Sequence, residues 1–451
     1  MSKIDEEATA QPVVPDAATA AASTGPIEGN LNVYLQSYVQ RIRGGDLGSL
    51  PAVGGLIVLV AFFWIIHPSF GSLLNVSNLI TDAAPTILLA MGLVFVLLLG
   101  EIDLAAGTTA GVSAATMVRV SGGYNAPWPV AILVAIVTGV IIGLLTGVLR
   151  AKVRIPSFVV TLAIFLALQG VILIVLINGK GIRGTDVPVS DKFINDFENG
   201  QLTPLAGWIL AAVVILGYAL SKMYDTTRRR QARLIVEPTI LSGLKFAAVA
   251  IGSLLFVFLL NQNRAINKGT TLVVHNGHQV LEKAPTLQGV PIVVVPLVAL
   301  FAIWTFVLGR TRYGRHVYAV GGNAEAARRA GIQVDRIRIS VFVICSTMGA
   351  VAGIMLASNI QTVSSTLGTG NTLLLAVGAA VIGGTSLFGG RGRIIDAVLG
   401  GLVVAVIGNG MSDLIHGKNN AAIQNIVTGL VLLLAAAVDA LSRRRAGASG
   451  L

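Results

Sequence analysis

Long apolar stretches separated by short polar loops run through this chain from about residue 50 to residue 441. Most of them approach or exceed the roughly 20 residues that an α-helix needs to cross a bilayer. The pattern predicts an all-α polytopic membrane protein with about 12 transmembrane helices, within a range of 10 to 12. The predicted segments are 51–67, 76–99, 103–120, 129–149, 156–178, 205–221, 240–261, 291–309, 338–358, 371–388, 394–415 and 422–441.

Two of these segments contain residues that disturb a simple crossing. Asp82 and Pro85 in segment 76–99 favour a break or a kink, because proline removes a helical hydrogen bond. Segment 371–388 is interrupted by Gly378, Gly383 and Gly384. For this segment a re-entrant loop is therefore an alternative to a full crossing.

The flanks of the apolar region differ from it in composition. Residues 1–48 are rich in Ala, Thr, Pro and Asp and lack the basic start and apolar core of a signal peptide. They predict a disordered cytoplasmic tail. Residues 49–442 form the predicted transmembrane domain, with a helix pair at about 205–261, and residues 443–451 form a basic cytoplasmic tail.

Composition and charge support a membrane protein and set its orientation. Only 12% of residues are charged and 54% are hydrophobic, whereas soluble domains carry about 25% charged residues. The net charge of +11 does not indicate a nucleic-acid partner, because the basic residues lie in short clusters between apolar segments. With both termini cytoplasmic, roughly three quarters of the 32 Lys and Arg residues fall in cytoplasmic loops, as the positive-inside rule requires.

Enzyme chemistry has no support in the sequence. There is no G-x-x-x-x-G-K-[ST] phosphate loop and no G-x-S-x-G elbow. His275 and His278 stand three apart, but their Asn- and Gly-containing loop is short of other metal ligands. We therefore predict a non-catalytic chain without a metal site.

Polar residues close to the apolar segments are candidates for a transport pathway. Glu101 and Asp103 separate two apolar segments. They are either solvated in a cytoplasmic turn, with Asp103 as the N-cap of the next helix, or drawn inward to line a cavity. Asn359 and Gln361 lie in a stretch rich in hydroxyl and amide groups, which suits either sugar binding or an ordinary hydrated loop.

The cytoplasmic loop at 310–338 carries the most specific pattern. Asn323 is placed to cap a short helix through Glu325 to Ala330, and Gly331 is placed to end that helix. A short capped helix on the cytoplasmic face suits docking into a groove of a partner protein.

This loop resembles the E-A-A-x-x-x-G coupling loop through which the permeases of ABC importers engage their ATPase. The wider string from Tyr313 to Ile332 is similar to the ribose, arabinose and xylose branch of the carbohydrate-importer permeases. The residues that the resemblance assigns to coupling are Arg315, Asn323, Glu325, Ala326, Ala327 and Gly331.

Three further blocks resemble the same family: Glu101 to Leu104, Pro156 to Leu162, and Val381 to Gly390, which contains Thr385 and Ser386. Ala105 and Ala106 depart from the Ser-Val usual in the first block. The extra helix pair and the string Asn409 to Ser412 are similar to the xylose permeases. Among these residues the candidates for a pathway or a structural turn are Glu101, Asp103, Asn359, Gln361, Thr385, Ser386 and Asn409.

The resemblance implies a homodimer of this chain in the inner membrane of a bacterium, bound to an ATPase with two nucleotide-binding halves and to a periplasmic sugar-binding protein. ATP and Mg²⁺ would belong to the ATPase, and no cofactor to this chain. The implied cargo is a pentose, with D-xylose favoured. The alternatives are another sugar, branched-chain amino acids, nucleosides, or an ion-coupled secondary transporter.

A weak internal similarity links the segment before Gly100 to the segment before Gly384. Internal repeats are common in transporters. If this one is real, the turn at 100–104 and the turn at 384–387 should face each other.

Overall fold

A computed structural model of the chain describes residues 48–181, 183–232, 236–265, 270–275, 278–283, 286–414 and 422–430, together with residues 433 and 437. The predicted tails, residues 1–47 and 443–451, lie outside the described residues. So does most of the second half of the predicted segment 422–441.

Helices occupy every predicted segment, and most of their bounds differ from the prediction by a few residues. They are α1 (Leu50–Ile66), α2 (Leu73–Leu98), α3 (Ala106–Val118), α4 (Trp128–Val148), α5 (Ser157–Asn178), α6 (Lys192–Asn199), α7 (Pro204–Gln231), α8 (Thr239–Leu260), α9 (Val294–Arg310), α10 (Arg312–Gly322), α11 (Ala324–Arg329), α12 (Val334–Ile360), α13 (Asn371–Gly383) and α14 (Ile394–Leu414). A further helical stretch covers residues 422–430.

Strands are confined to two short antiparallel pairs in the described residues. They are β1 (Asp186–Pro188), β2 (Thr270–His275), β3 (His278–Lys283) and β4 (Thr362–Ser364), paired β1 with β4 and β2 with β3. Single π-helical turns extend α3 over Arg119–Gly123 and α4 over Leu149–Val153.

Seven helices of the described chain are long and apolar enough to cross a membrane: α2, α4, α5, α7, α8, α12 and α14. Helices α9 and α10, bent by 69° at Thr311, make an eighth candidate as a broken span. The chain is thus an all-α polytopic membrane protein. A count of 12 crossings stays a prediction, because α1, α3 and α13 are shorter.

The structure differs for the two segments that contain residues unfavourable to a simple crossing, 76–99 and 371–388. Helix α2 runs without a break through Asp82 and Pro85, so of the predicted break or kink the break is wrong. A kink at Pro85 stays a prediction. Every residue from Ile87 to Leu98 is buried, and this packing offsets the one hydrogen bond that Pro85 cannot make. Helix α13 ends at Gly383 after 13 residues, roughly 20 Å at 1.5 Å per residue, which is too short to cross a bilayer unaided.

Helices α2, α12 and α14 form the centre of the core, and α4 packs closely on α12. Gly139, Gly143 and Gly147 of α4 stand four apart on one face and lie against the α12 backbone. A Cβ at Gly143 would lie 2.7 Å from the Phe342 carbonyl oxygen. Small residues at this spacing let membrane helices approach closely.

We expect Gly143→Ala to destabilise the protein by about 1–3 kcal/mol, because the added methyl forces α4 away from α12. Gly170→Ala in α5 is the matched control, since a Cβ there meets no described residue within 4 Å and alanine raises helix propensity. Thermal unfolding of both variants in detergent checks this. Equal midpoints would contradict the tight α4–α12 seam.

Residues 212–253, in the second part of α7 and the first part of α8, belong to a compact unit distinct from the other described helices. In this unit Glu237 pairs with both Lys222 and Lys245. Burial opposes ionisation of Glu237, but these two lysines outweigh it and lower the pKa of its carboxyl. Arg228 stacks over the Tyr224 ring, 5.0 Å from its centroid.

Candidate functional site

Helix α11 has the predicted cap and the predicted end. The Asn323 side-chain oxygen accepts hydrogen bonds from the backbone N–H groups of Glu325, at 3.0 Å, and Ala326, at 2.9 Å. At the other end, Gly331 has a left-handed backbone with φ of +82°. The Gly331 N–H donates to the Arg328 carbonyl, and the Ile332 N–H donates to the Ala327 carbonyl, both at 3.0 Å. These two bonds form a Schellman motif.

The side chains of α11 divide into a buried anchor and an exposed face. Ala327 is buried against the core, whereas Ala326 and Glu325 are exposed. Glu325 pairs with Arg328 at 3.1 Å and with Arg329 at 3.6 Å, and all three side chains are more than half exposed. The helix therefore presents a rigid, charged surface, and Arg315 on α10 is exposed as well.

Helix α10, which leads to α11, contacts the two Gly-containing turns. Gly321 lies so close to the end of α2 that a Cβ would overlap the Leu98 carbonyl oxygen. The same oxygen accepts a hydrogen bond of 2.8 Å from the Gly390 N–H. Tyr318 donates to the Gly392 carbonyl at 2.7 Å. We call this meeting of residues 98–105, 318–322 and 384–393 the three-loop junction.

The three-loop junction bears on the internal similarity. The turn at 100–104 and the turn at 384–387 were expected to face each other if the repeat is real. Gly100 lies against the backbone of Phe388, where a Cβ would be 3.2 Å from its carbonyl oxygen. The stretches that contain the two turns are thus in direct contact.

Glu101 is buried rather than solvated, so the solvated alternative is wrong for it. Its carboxylate forms a bidentate pair with Arg150, at 2.8 and 2.6 Å, and lies 3.4 Å from Arg338. The attraction of two arginines offsets the free-energy cost of removing one carboxylate from water. Glu101 thus connects the end of α4 to the start of α12, directly after the loop that carries α11.

Asp103 is also buried, and the predicted N-cap role is only approximately right. The N-cap position of α3 is Ala105, and Asp103 accepts a hydrogen bond of 2.9 Å from the Ala105 N–H just before the helix. The turn is further held by Ser157 and Thr161, whose hydroxyls bond the backbone of Ile102 at 3.4 and 3.3 Å. Two of the family-like sequence blocks therefore meet here.

Thr385 and Ser386 are buried and shape the second turn. Thr385 donates to a carboxylate oxygen of Asp396 at 3.4 Å, and that oxygen also accepts from the Arg393 N–H at 2.7 Å. The Ser386 hydroxyl accepts from the Phe388 N–H at 3.1 Å. These contacts favour a structural role for both residues.

Asn409 lies on α14 in a reciprocal pair with Asn75 of α2. Each amide donates to the other's carbonyl oxygen, at 2.8 and 3.0 Å. The pair uses one donor and one acceptor of each side-chain amide and joins the two helices, which favours a structural role for Asn409.

Asn359 and Gln361 lie together at the opposite end of α12 from the loop at 310–338. Asn359 is half-buried, and its amide nitrogen lies 3.5 Å from a carboxylate oxygen of Asp82. Gln361 is exposed and has a left-handed backbone with φ of 59° where α12 ends. Of the predicted pathway residues, Gln361 is exposed and Asn359 is half-buried, whereas Glu101, Asp103, Thr385 and Ser386 are buried.

Sequence reasoning missed four residues that organise these sites. Arg150 and Arg338 were visible only as loop charges, and their convergence on Glu101 depends on tertiary contacts. Asp396 at the start of α14 and Glu198 in α6 are acidic residues near apolar segments. What distinguishes them from other loop acids is that they are buried, and the sequence alone does not show this.

A family model described as the permease component of branched-chain amino acid transport systems matches residues 75–436. The chain belongs to this family. The match includes both turns, the loop at 310–338 and the Asn359 region.

Several similar proteins are named as permeases for sugars. The chain is 33% identical to the xylose transport system permease protein of Haemophilus influenzae over 92% of this chain and 98% of the relative. It is 33% identical to the protein of that name from Escherichia coli K12, over 94% of this chain and 100% of the relative. The ribose import permease protein of Escherichia coli K12 is 29% identical over 85% and 91%, respectively. No solved structure matches the chain significantly.

Family membership and the apolar helices together make the chain a non-catalytic, multi-pass permease of the bacterial inner membrane.

Proposed function

We propose that this chain is the membrane subunit of an ABC importer for a small sugar, and that the sugar is a pentose, D-xylose first among them. The relatives named as xylose permeases support the cargo. The observation that carries the mechanism is α11, a helix closed at both ends whose exposed face bears Glu325, Arg328 and Arg329.

Helix α11 is the proposed docking element for the ATPase. Its backbone groups are satisfied by Asn323 and by the Schellman turn, so the helix can be pushed as a rigid body. Ala327 anchors its inner face, and Gly321 and Tyr318 on α10 lie against the ends of α2 and of the 384–393 turn. Movement at α11 is therefore passed directly to two core helices, α2 and α14.

Alternating access follows from this connection in our proposal. Closure of two nucleotide-binding halves on ATP would move the α11 helices of two copies of this chain. The Glu101 ion pairs with Arg150 and Arg338 would carry the movement to α4 and α12. ATP and Mg²⁺ belong to the ATPase, and a periplasmic sugar-binding protein delivers the cargo to the other face.

The proposed topology has 12 crossings or membrane-inserted segments, with both termini cytoplasmic. It places the three-loop junction and α11 on the cytoplasmic side and Asn359 on the periplasmic side. The positive-inside distribution of the 32 Lys and Arg residues supports this orientation.

Uptake by a strain that lacks this chain tests the function. We expect the chain, with its ATPase and binding protein, to restore uptake of radiolabelled D-xylose in an ATP-dependent manner. Restored leucine or nucleoside uptake without D-xylose uptake would contradict the cargo. Uptake that survives ATP depletion and collapses with an ionophore would contradict the ABC mechanism.

A further inference from the structure

Helix α2 presents a polar stripe near its predicted periplasmic end. Asn78 and Asp82 are exposed and Thr86 is half-exposed. At intervals of four residues these side chains lie on one helix face. The following part of α2 is enclosed, with every residue from 87 to 98 buried.

The stripe is polar, whereas a surface that faces lipid is apolar. The exposed faces of α4 and α5 are apolar, with side chains such as Leu133, Ile141, Phe158 and Leu166. A carboxylate among lipid tails is costly, and ionisable residues at membrane depth turn toward water-filled cavities. The face that carries Asp82 is therefore assigned to the aqueous pathway.

A second element adds donors and a buried acid to this face. The Asn359 amide nitrogen lies 3.5 Å from a carboxylate oxygen of Asp82. Behind it, Glu198 of α6 is fully buried, and within the described residues neither of its carboxylate oxygens has a hydrogen bond of ordinary geometry. Helix α6 is fixed to α12 through Ser358, which accepts from the Glu198 N–H at 3.0 Å and whose carbonyl accepts from Asn199 at 2.7 Å.

The two acids lie in different environments. Burial, reinforced by the charge of Asp82, raises the pKa of the Glu198 carboxyl to about 9 against the opposing effect of Asn359. Glu198 is thus neutral at pH 7 and holds a proton beside the Asn359 amide. Asp82, which is exposed, has carboxylate oxygens free to accept further hydrogen bonds.

We propose that Asp82 and Asn359 form a sugar-recognition point at the periplasmic mouth of the pathway, with Glu198 as the positioning residue behind Asn359. This inference rests on the proposed function. An exposed carboxylate can accept hydrogen bonds from two neighbouring hydroxyls, and an adjacent amide can both donate and accept. A neutral polyhydroxylated solute fits this set, whereas a solute carrying its own carboxylate would be repelled by Asp82.

The test uses the complete importer in proteoliposomes with saturating loaded binding protein. For Asp82→Asn we expect the amount of D-xylose moved per ATP hydrolysed to fall at least tenfold, while ATP hydrolysis stays within twofold of wild type. Thr81→Ala is the matched control, because the Thr81 hydroxyl bonds the Ser77 carbonyl of its own helix. An unchanged ratio in Asp82→Asn, or an equal loss in Thr81→Ala, would overturn the proposal.

Glu198 is tested by rescue. We expect Glu198→Gln, which keeps a neutral side chain of the same length, to retain most transport, and Glu198→Ala to reduce the ratio of sugar to ATP about tenfold. Equal loss in both variants, or in neither, would remove the positioning role. A wild-type importer that moves a different class of solute would overturn the proposed cargo and this inference together. If the wild type moves D-xylose and Asp82→Asn moves the same amount per ATP hydrolysed, this inference alone would be overturned.

Discussion

Replacement of Glu325 by arginine is expected to reduce D-xylose uptake below about a tenth of wild type and to release the ATPase during purification. In the wild type the carboxylate at the first turn of α11 pairs with Arg328 and Arg329 and complements the helix dipole. Reversal places three positive side chains within one turn. The charge pattern offered to the ATPase is thereby lost, although Asn323 and the Schellman turn still hold the helix backbone.

The control for this variant is Arg230→Glu, another charge reversal at an exposed position of a predicted cytoplasmic loop, outside residues 310–338. We expect uptake near the wild-type level for it. Membrane amounts of both variants and retention of the ATPase on the purified chain are measured together. Normal uptake by Glu325→Arg with the ATPase retained would exclude α11 as the coupling element.

The sequence predicted the helices and the α11 motif well, because both depend on local rules. Apolar runs end where loops begin, and the Asn323 cap and the Gly331 end are read from neighbours in the chain. The orientation of Glu101 and Asp103 could not be read in this way. The burial of Glu101 depends on Arg150 and Arg338, which come from other segments, and Asp103 is buried in the same turn.

Pro85 is a position where the local rule that proline interrupts a helix does not hold. A proline inside an apolar segment predicts a break, yet α2 continues through it. The cost of a missing hydrogen bond is local, while the compensating packing of residues 87–98 against α12 and α14 is tertiary. The candidate recognition point has the same origin, since Asp82, Glu198 and Asn359 are far apart in sequence.

The three-loop junction predicts a large difference between two adjacent glycines. A Cβ at Gly321 would overlap the Leu98 carbonyl oxygen and lie 3.1 Å from the Gly390 nitrogen. In the part of the chain that the structure describes, a Cβ at Gly322 would meet no atom within 4 Å. Both residues end α10, so helix propensity and chain entropy change equally in the two alanine variants.

We therefore expect Gly321→Ala to reduce uptake by at least tenfold and to destabilise the protein by about 1–3 kcal/mol, because the methyl separates α10 from α2. Gly322→Ala should match wild type in both measurements. If Gly321→Ala unfolds at the wild-type temperature but still fails to transport, the junction transmits movement without contributing to stability. Equal uptake in the two variants would show that contact between α10 and the end of α2 is not needed for coupling, and movement of α11 would then have to reach the core through the Glu101 ion pairs alone.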